Sequence, residues 1–115
     1  MWIPVLKCLD GKKNFEKKIL SSDELVCVKS QGKHLIFSTI NGEEYQLSAI
    51  LEEWEILLKN EDFYEVDRGL IANMRLASHV DAKLRLLYFP SGHSCTVSVR
   101  GLQKIKEIYT HIRLQ

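Results

Sequence analysis

Three absences narrow this 115-residue chain before any motif is read. It has no run of eighteen or more apolar residues, and its opening segment, MWIPVLKCLDGKK, places lysines after a short apolar run, the reverse of a signal peptide. The expectation is a soluble, cytoplasmic protein with no membrane partner. The three cysteines, Cys8, Cys27 and Cys95, are odd in number and lack CxxC spacing, so neither a disulfide framework nor a zinc module is supported. They read as structural or incidental thiols, with a redox-sensor reading kept open for Cys95 among its polar neighbours. Catalytic signatures are missing as well: there is no GxSxG, P-loop or GxGxxG. His34, His79, His93 and His111 show no HxxxH or HExxH spacing, and closely spaced carboxylates occur mainly on one glutamate-rich helical face, which reads as solvated. No enzyme, metal site or cofactor is expected.

Charge of one sign is lacking overall, since the net is only +1, but it is unevenly spread. Residues 1–23 carry +2, residues 24–62 carry −5 and residues 63–115 carry +4. Basic ends around an acidic middle allow one positive face on a nearly neutral globule, as a polyanion partner requires. A merely uneven solvated surface is the simpler account of the same composition. The length fits one domain over residues 1–115, enough to bury a core without disulfide or metal.

What is present is mostly strand. Trp2 to Leu9 is apolar but holds Pro4, which points to a first or edge strand, followed by a turn at Asp10 to Lys13. Asn14 to Leu20 reads as a second strand anchored by Phe15 and Ile19, without excluding helix, and Ser21 to Glu24 as a loop or a capped turn. Leu25 to Lys29 and His34 to Ile40 form a hairpin around Ser30 to Lys33; Asn41-Gly42 then turns the chain into Tyr45 to Leu47. Over Ser48 to Asn60 the period changes. Ile50, Leu51, Trp54, Leu57 and Leu58 make an apolar stripe, Glu52, Glu53 and Glu55 the opposite face, and Ser48 the N-cap of an amphipathic helix. Its glutamates would repel phosphate, so it should face away from any DNA.

Phe63 to Asn73, FYEVDRGLIAN, reads as a buried strand running into a polar corner at Asp67-Arg68-Gly69 and a helical turn. Ala77 to Lys83 and Leu84 to Phe89 read as paired strands, and Pro90 to His93 as a tight turn. Cys95 to Val99 follows as a half-buried strand, with Val97 and Val99 on one face and Arg100 at its end. Gly101 to Ile112 closes the chain as a helix with Leu102, Ile105, Ile108 and Ile112 on one side. About eight strands and two helices result. Lys33, His34, Arg68, Arg100 and Lys104 are left at strand ends and turns, where arginine suits bidentate guanine recognition and lysine suits phosphate. Each one alone reads as a surface residue.

Read together, the segments resemble the LytTR family, mainly β DNA-binding domains found at the C-terminus of many bacterial response regulators. LVCVKSQGKH, NGEEY, LEEWEILL, FYEVDRGLIAN and CTVSVRGLQKIK match the family's blocks in order and spacing, from about Leu25 to Ile108. The resemblance implies an α+β fold: LytTR-like antiparallel sheets with one mid-chain amphipathic helix and a C-terminal helix. It also implies that loops at strand ends enter successive grooves of double-stranded DNA. Position by position, base reading falls on His34, Arg68 and Arg100, while Lys33, Arg75, Lys104 and Lys106 would neutralise phosphate. A homodimer on repeated sites would supply the contact area that one small module lacks.

The chain departs from the family at Asp67 and Gly69, where histidine and serine are usual, and Asp67 could pair with Arg68 or accept from a cytosine amine. Asn73 is kept, to cap or brace the turn. Cys95 matches one position of a cysteine pair described in some members, but Val66 occupies the other, which argues against a disulfide switch. No receiver domain fits ahead of the first block, so the chain is either a stand-alone regulator or a fragment of a larger protein, and Met1 followed directly by strand-like residues favours the former. Two other classes compete: a protein-interaction module or antagonist of a related regulator that has lost DNA recognition, and a small-molecule or metal sensor built around His79, His93 and Cys95.

Overall fold

Seven strands form the larger sheet, and Leu70 to Asn73, near one edge of it, are buried on both faces. In the computed structural model, which describes residues 1–9 and 14–115, the strands of the larger sheet are β1 (Trp2–Cys8), β2 (Phe15–Ser21), β3 (Leu25–Gln31), β4 (His34–Thr39), β5 (Glu44–Leu47), β6 (Phe63–Asp67) and β7 (Leu70–Asn73). Their order is β2-β1-β5-β4-β3-β7-β6, and every pairing is antiparallel. All four residues of β7 are buried: Ile71 enters one core, and Leu70 and Ala72 enter the other, as alternation along a strand requires. The turn expected at Asp10 to Lys13 lies outside the described residues.

On one face, helix α1 (Leu51–Leu58) covers Phe37, Phe63 and Ile71; Trp54 meets Phe37 edge to face with ring centroids 5.4 Å apart. On the other face lies a four-stranded sheet, β8 (His79–Asp81), β9 (Leu86–Tyr88), β10 (Ser94–Thr96) and β11 (Arg113–Leu114), in the order β10-β9-β8-β11 with β11 parallel to β8. Helix α2 (Val99–Ile108) joins this second layer, where Val66, Val80, Leu87, Val97 and Ile105 are buried together. Asn73 ties β7 to β3 at one end of the larger sheet. Its amide donates to the Leu25 carbonyl at 2.9 Å and its oxygen accepts from the Arg75 N–H at 3.1 Å, so it braces the chain where β7 ends.

Several sequence expectations are corrected. The corner at Arg68-Gly69 is a two-residue β-hairpin turn between β6 and β7, with Gly69 at φ 73°, and no helical turn follows it. In β2 the inward residue is Leu20, whereas Phe15 and Ile19 are exposed, because Ile3 and Val5 of β1 set the buried parity of the hairpin. Helix α1 is shorter than expected. Ser48 to Ile50 are needed to turn from β5, Ile50 takes the N-cap without a side-chain bond, and only Leu51, Trp54 and Leu58 reach the sheet, leaving Ile50 and Leu57 exposed. Asp81 accepts from the Lys83 and Leu84 N–H groups, and this turn shortens the strands on either side of it.

The strand expected over Cys95 to Val99 stops at Thr96. Ser98 caps α2 by accepting from the Gly101 N–H at 2.9 Å, so Val99 and Arg100 belong to a helix, with Val97 buried and Val99 exposed. The helix ends at Ile108, and Ile112 is buried beyond it while Ile108 is exposed.

Candidate nucleic-acid interface

Three elements deliver cations to one end of the larger sheet. The β3–β4 turn presents Lys33 beside Gly32, whose φ of 61° lets the strands reverse in two residues; His34 follows as the first residue of β4. The β6–β7 turn presents Arg68. These two turns are held together, since the Ser30 N–H donates to the Gly69 carbonyl at 2.8 Å. Lys33 and Arg68 line one shallow depression of about 440 Å³, which also takes Ile50 and Glu52 from the start of α1.

Arg100 arrives from the first turn of α2. Val66 receives both the Ser98 N–H at 2.8 Å and the Ser98 hydroxyl at 3.3 Å, which fixes the helix start against β6. A methyl group on Gly101 would lie 2.2 Å from the Val66 oxygen, so only glycine permits this approach. Arg68 and Arg100 line a cleft of about 740 Å³ between α1, β6 and the start of α2. Lys33, Arg68 and Arg100 are exposed and form no ion pair among the described residues. The N-terminal end of α2 adds its own partial positive charge at Arg100.

Lys104 lies one turn along the same side of α2 as Arg100 and pairs with Glu107 at 3.9 Å; Lys106, also exposed, projects roughly 160° around the helix from Lys104, at ~100° per residue. Arg75 is not brought to this end. Its guanidinium reaches Asp23 at 3.6 Å and Asp62 at 3.4 Å, beside the opposite ends of β3 and β6. A five-residue strand separates it from Arg68, roughly 17 Å at about 3.3 Å per residue.

Acidic groups surround the arginines more closely than the sequence indicated. Glu52 and Glu55 of α1 do not point away from Arg68 and Arg100 but line the same cleft, with Glu65 and Asp67 of β6. Partial burial, then the charges of Glu55, Glu52 and Asp67, raise the Glu65 carboxyl above its ordinary value. Asp67 is committed elsewhere: one oxygen accepts from the Arg68 N–H and the other from the Thr96 hydroxyl, both at 2.9 Å. Sequence reading missed Ser98, Glu65 and Thr96. Only a serine three residues before a glycine at a helix start carried a local signal, for the cap.

Burial pushes the Cys95 thiol up to about 12, with Cys27 and Asp67 adding to the effect, so a thiolate is strongly disfavoured there. Cys27 is buried too, with His93 Nε2 3.8 Å from its sulfur. No helix is long and apolar enough to cross a membrane among the described residues.

The pattern for the LytTr DNA-binding domain matches residues 16–110, which covers both turns, both helices and most of the two sheets. The chain belongs to the LytTr DNA-binding domain family. It is 24% identical over 98 residues to accessory gene regulator protein A from two strains of Staphylococcus epidermidis, an alignment covering 84% of this chain and 40% of each relative. The chain thus spans about two-fifths of the length of these relatives. It also superimposes on the LytTr DNA-binding domain of a methyl-accepting/DNA response regulator from Bacillus cereus, with a TM-score of 0.73 at 18% identity, over 91% of this chain and 94% of that one. At that identity the likeness establishes the shared LytTr fold: mostly β, with antiparallel sheets and two helices.

Proposed function

We propose that this LytTr domain is a bacterial, cytoplasmic, sequence-specific regulator of transcription that reads double-stranded DNA through its strand-end turns. One observation carries the reading: Lys33, Arg68 and Arg100, from three separate elements, converge at one end of the sheet with no ion pair among the described residues. A cation held between two carboxylates, as Arg75 is, gains less from phosphate than one without such a pair of partners, which releases counterions from the duplex. In this reading Arg68, Arg100 and His34 contact base edges and Lys33 and Lys104 neutralise phosphate, while Lys106, on the other flank of α2 from Lys104, does not. Arg75 braces Asp23 and Asp62 instead. Two copies acting on repeated sites supply the remaining specificity.

Selection of bound duplexes from a random pool tests the reading directly, with affinity then followed against salt on the selected site. Arg68→Ala and Arg100→Ala should each cost about 1–3 kcal/mol on that site and relax preference at one position. Unchanged affinity in both variants overturns the assignment.

The acids favour a second reading. Glu52, Glu55, Glu65 and Asp67 around the arginines suit a protein partner with mixed charge, so that the domain would act as an interaction module or antagonist of a related regulator. Titration with random duplex at low salt separates the two, because a DNA binder retains a steeply salt-dependent nonspecific affinity and an interaction module shows none.

A further inference from the structure

The two edges of the seven-stranded sheet are treated differently. At β6 the edge is closed by α2, whose Ser98 occupies the Val66 carbonyl. At β2 no element of the described chain lies alongside, and the strand is regular: it pairs with β1 over seven consecutive residues without a bulge and contains no proline. The edges of the smaller sheet, β10 and β11, are only three and two residues long. Short edge strands resist pairing, while long, unbroken ones invite it.

Residues of β2 that the single chain leaves unused are self-complementary. Phe15 and Ile19 are 42% and 61% exposed on the outer face, where Ile19 lies opposite Pro4 and Phe15 opposite Cys8, both exposed as well. Glu16 and Lys18 alternate with them on the other face and form no ion pair among the described residues. A two-fold axis normal to the sheet places a residue at the axis opposite its own copy. Centred on Glu16 or Lys18, like charges meet and a lysine is set against Phe15 or Ile19. Centred on Lys17, Phe15 faces Ile19, Glu16 faces Lys18, and both pairs occur twice.

We propose that the β2 edge is a homodimerisation surface, on which a second copy pairs antiparallel with the axis at Lys17. The outer face then carries an unbroken apolar row, Pro4 and Ile19 of one copy followed by Phe15 and Cys8 of the other, repeated by symmetry. The inner face carries two cross-strand ion pairs, each of which stabilises an antiparallel pair. Lys17 meeting Lys17 opposes association, and the interface is small, so the dimer is weak and concentration-dependent. The surface is separate from the cationic turns. Joined to the proposed DNA reading, its two-fold symmetry requires half-sites arranged as an inverted repeat.

Sedimentation equilibrium without DNA, carried to roughly millimolar protein where weak interfaces register, tests the pairing. The average mass should rise from one chain toward two. Glu16→Lys and Lys18→Glu should each hold it at one chain, since each sets like charges across the axis, and the double variant E16K/K18E should restore the rise. Lys17→Cys in a Cys8→Ser background should form a disulfide-linked dimer on mild oxidation, whereas Lys18→Cys in that background should not. A wild-type chain that stays monomeric throughout, a double variant that fails to restore association, or linkage at residue 18 but not 17 each overturns the proposal. DNA affinity on a single half-site, measured separately on these variants, should be unchanged. A monomer that binds DNA thus defeats only the dimer, and a dimer that ignores DNA defeats only the DNA reading.

Discussion

The Thr96 hydroxyl donates to the Asp67 carboxylate at 2.9 Å, bridging β10 of the smaller sheet and β6 of the larger one. The second Asp67 oxygen holds the Arg68 N–H. The acidic residue next to Arg68 is therefore occupied as a brace for the turn, and no Asp67–Arg68 ion pair is formed among the described residues. Because the bond is exposed, its worth is small, about 0.5–1 kcal/mol. Thr96→Val and Asp67→Ala, measured by urea unfolding alone and together, should show a coupling of that size; strict additivity would mean that the two side chains do not interact in solution.

Gly101 tests how closely α2 must approach β6. Alanine at a helical position normally gains up to ~1 kcal/mol over glycine. Here its methyl group would sit 2.2 Å from the Val66 oxygen and 2.9 Å from the Val66 carbon, both backbone atoms. The helix must lift, which costs about 1–3 kcal/mol and breaks the Ser98 contacts that position Arg100. Gly101→Ala should lower the melting temperature by roughly 4 °C for each kcal/mol lost. A Gly101→Ala protein as stable as wild type would show that the helix start is not fixed by this contact.

Much of the fold was readable because its signals are local. Asn41-Gly42 and the branched and aromatic residues of β3 and β4 each declare themselves within a few residues, whereas Leu70 to Asn73 imitated a helical turn. The start of α2 did not declare itself either, since Val97 and Val99 imitate strand periodicity and only the Val66 carbonyl, distant in sequence, decides that Ser98 caps a helix. The parity of β2 failed for the same reason: Phe15 and Leu20 are equally apolar, and the partner strand chooses between them. Exposure of Lys33 and Arg68 was legible from their turns, and that of Arg100 from its place at the end of an apolar segment. Their acidic neighbours on α1 were not, because helix–sheet packing alone brings Glu52 and Glu55 to β6.

Arg75 and Lys104 separate a cation shared between two carboxylates from one proposed to neutralise phosphate. Arg75 is shared between Asp23 and Asp62 at the far end of the sheet, while Lys104 is on the side of α2 that carries Arg100. Lys104→Ala should reduce the slope of log affinity against log salt by about 0.9, the release of one counterion. Arg75→Ala should leave that slope alone and lower stability by no more than about 1 kcal/mol, as for other exposed pairs. A slope change with Arg75→Ala would instead place the duplex along the strands, spanning both ends of the sheet.

Glu65 should make duplex binding and stability depend on pH in the opposite sense from an ordinary paired carboxylate. Its folded value lies above 4.5, raised by partial burial and then by Glu55, Glu52 and Asp67. The folded state therefore binds the proton more tightly than the unfolded chain. The group's stabilising contribution is complete below 4.5 and disappears as pH rises through the raised value. Glu65→Gln should accordingly be more stable than wild type at neutral pH, with the two converging in acid. Since the side chain is largely exposed, solvent screening keeps the difference small. Protonation also removes a negative charge beside Arg68, so wild-type affinity for random duplex should rise as pH falls toward the carboxylate range, and Glu65→Gln should bind more tightly at neutral pH with a flatter profile. Fluorescence anisotropy at fixed ionic strength reads both effects. Parallel pH profiles for the two proteins would show that the carboxylate is too well screened to act on the arginine.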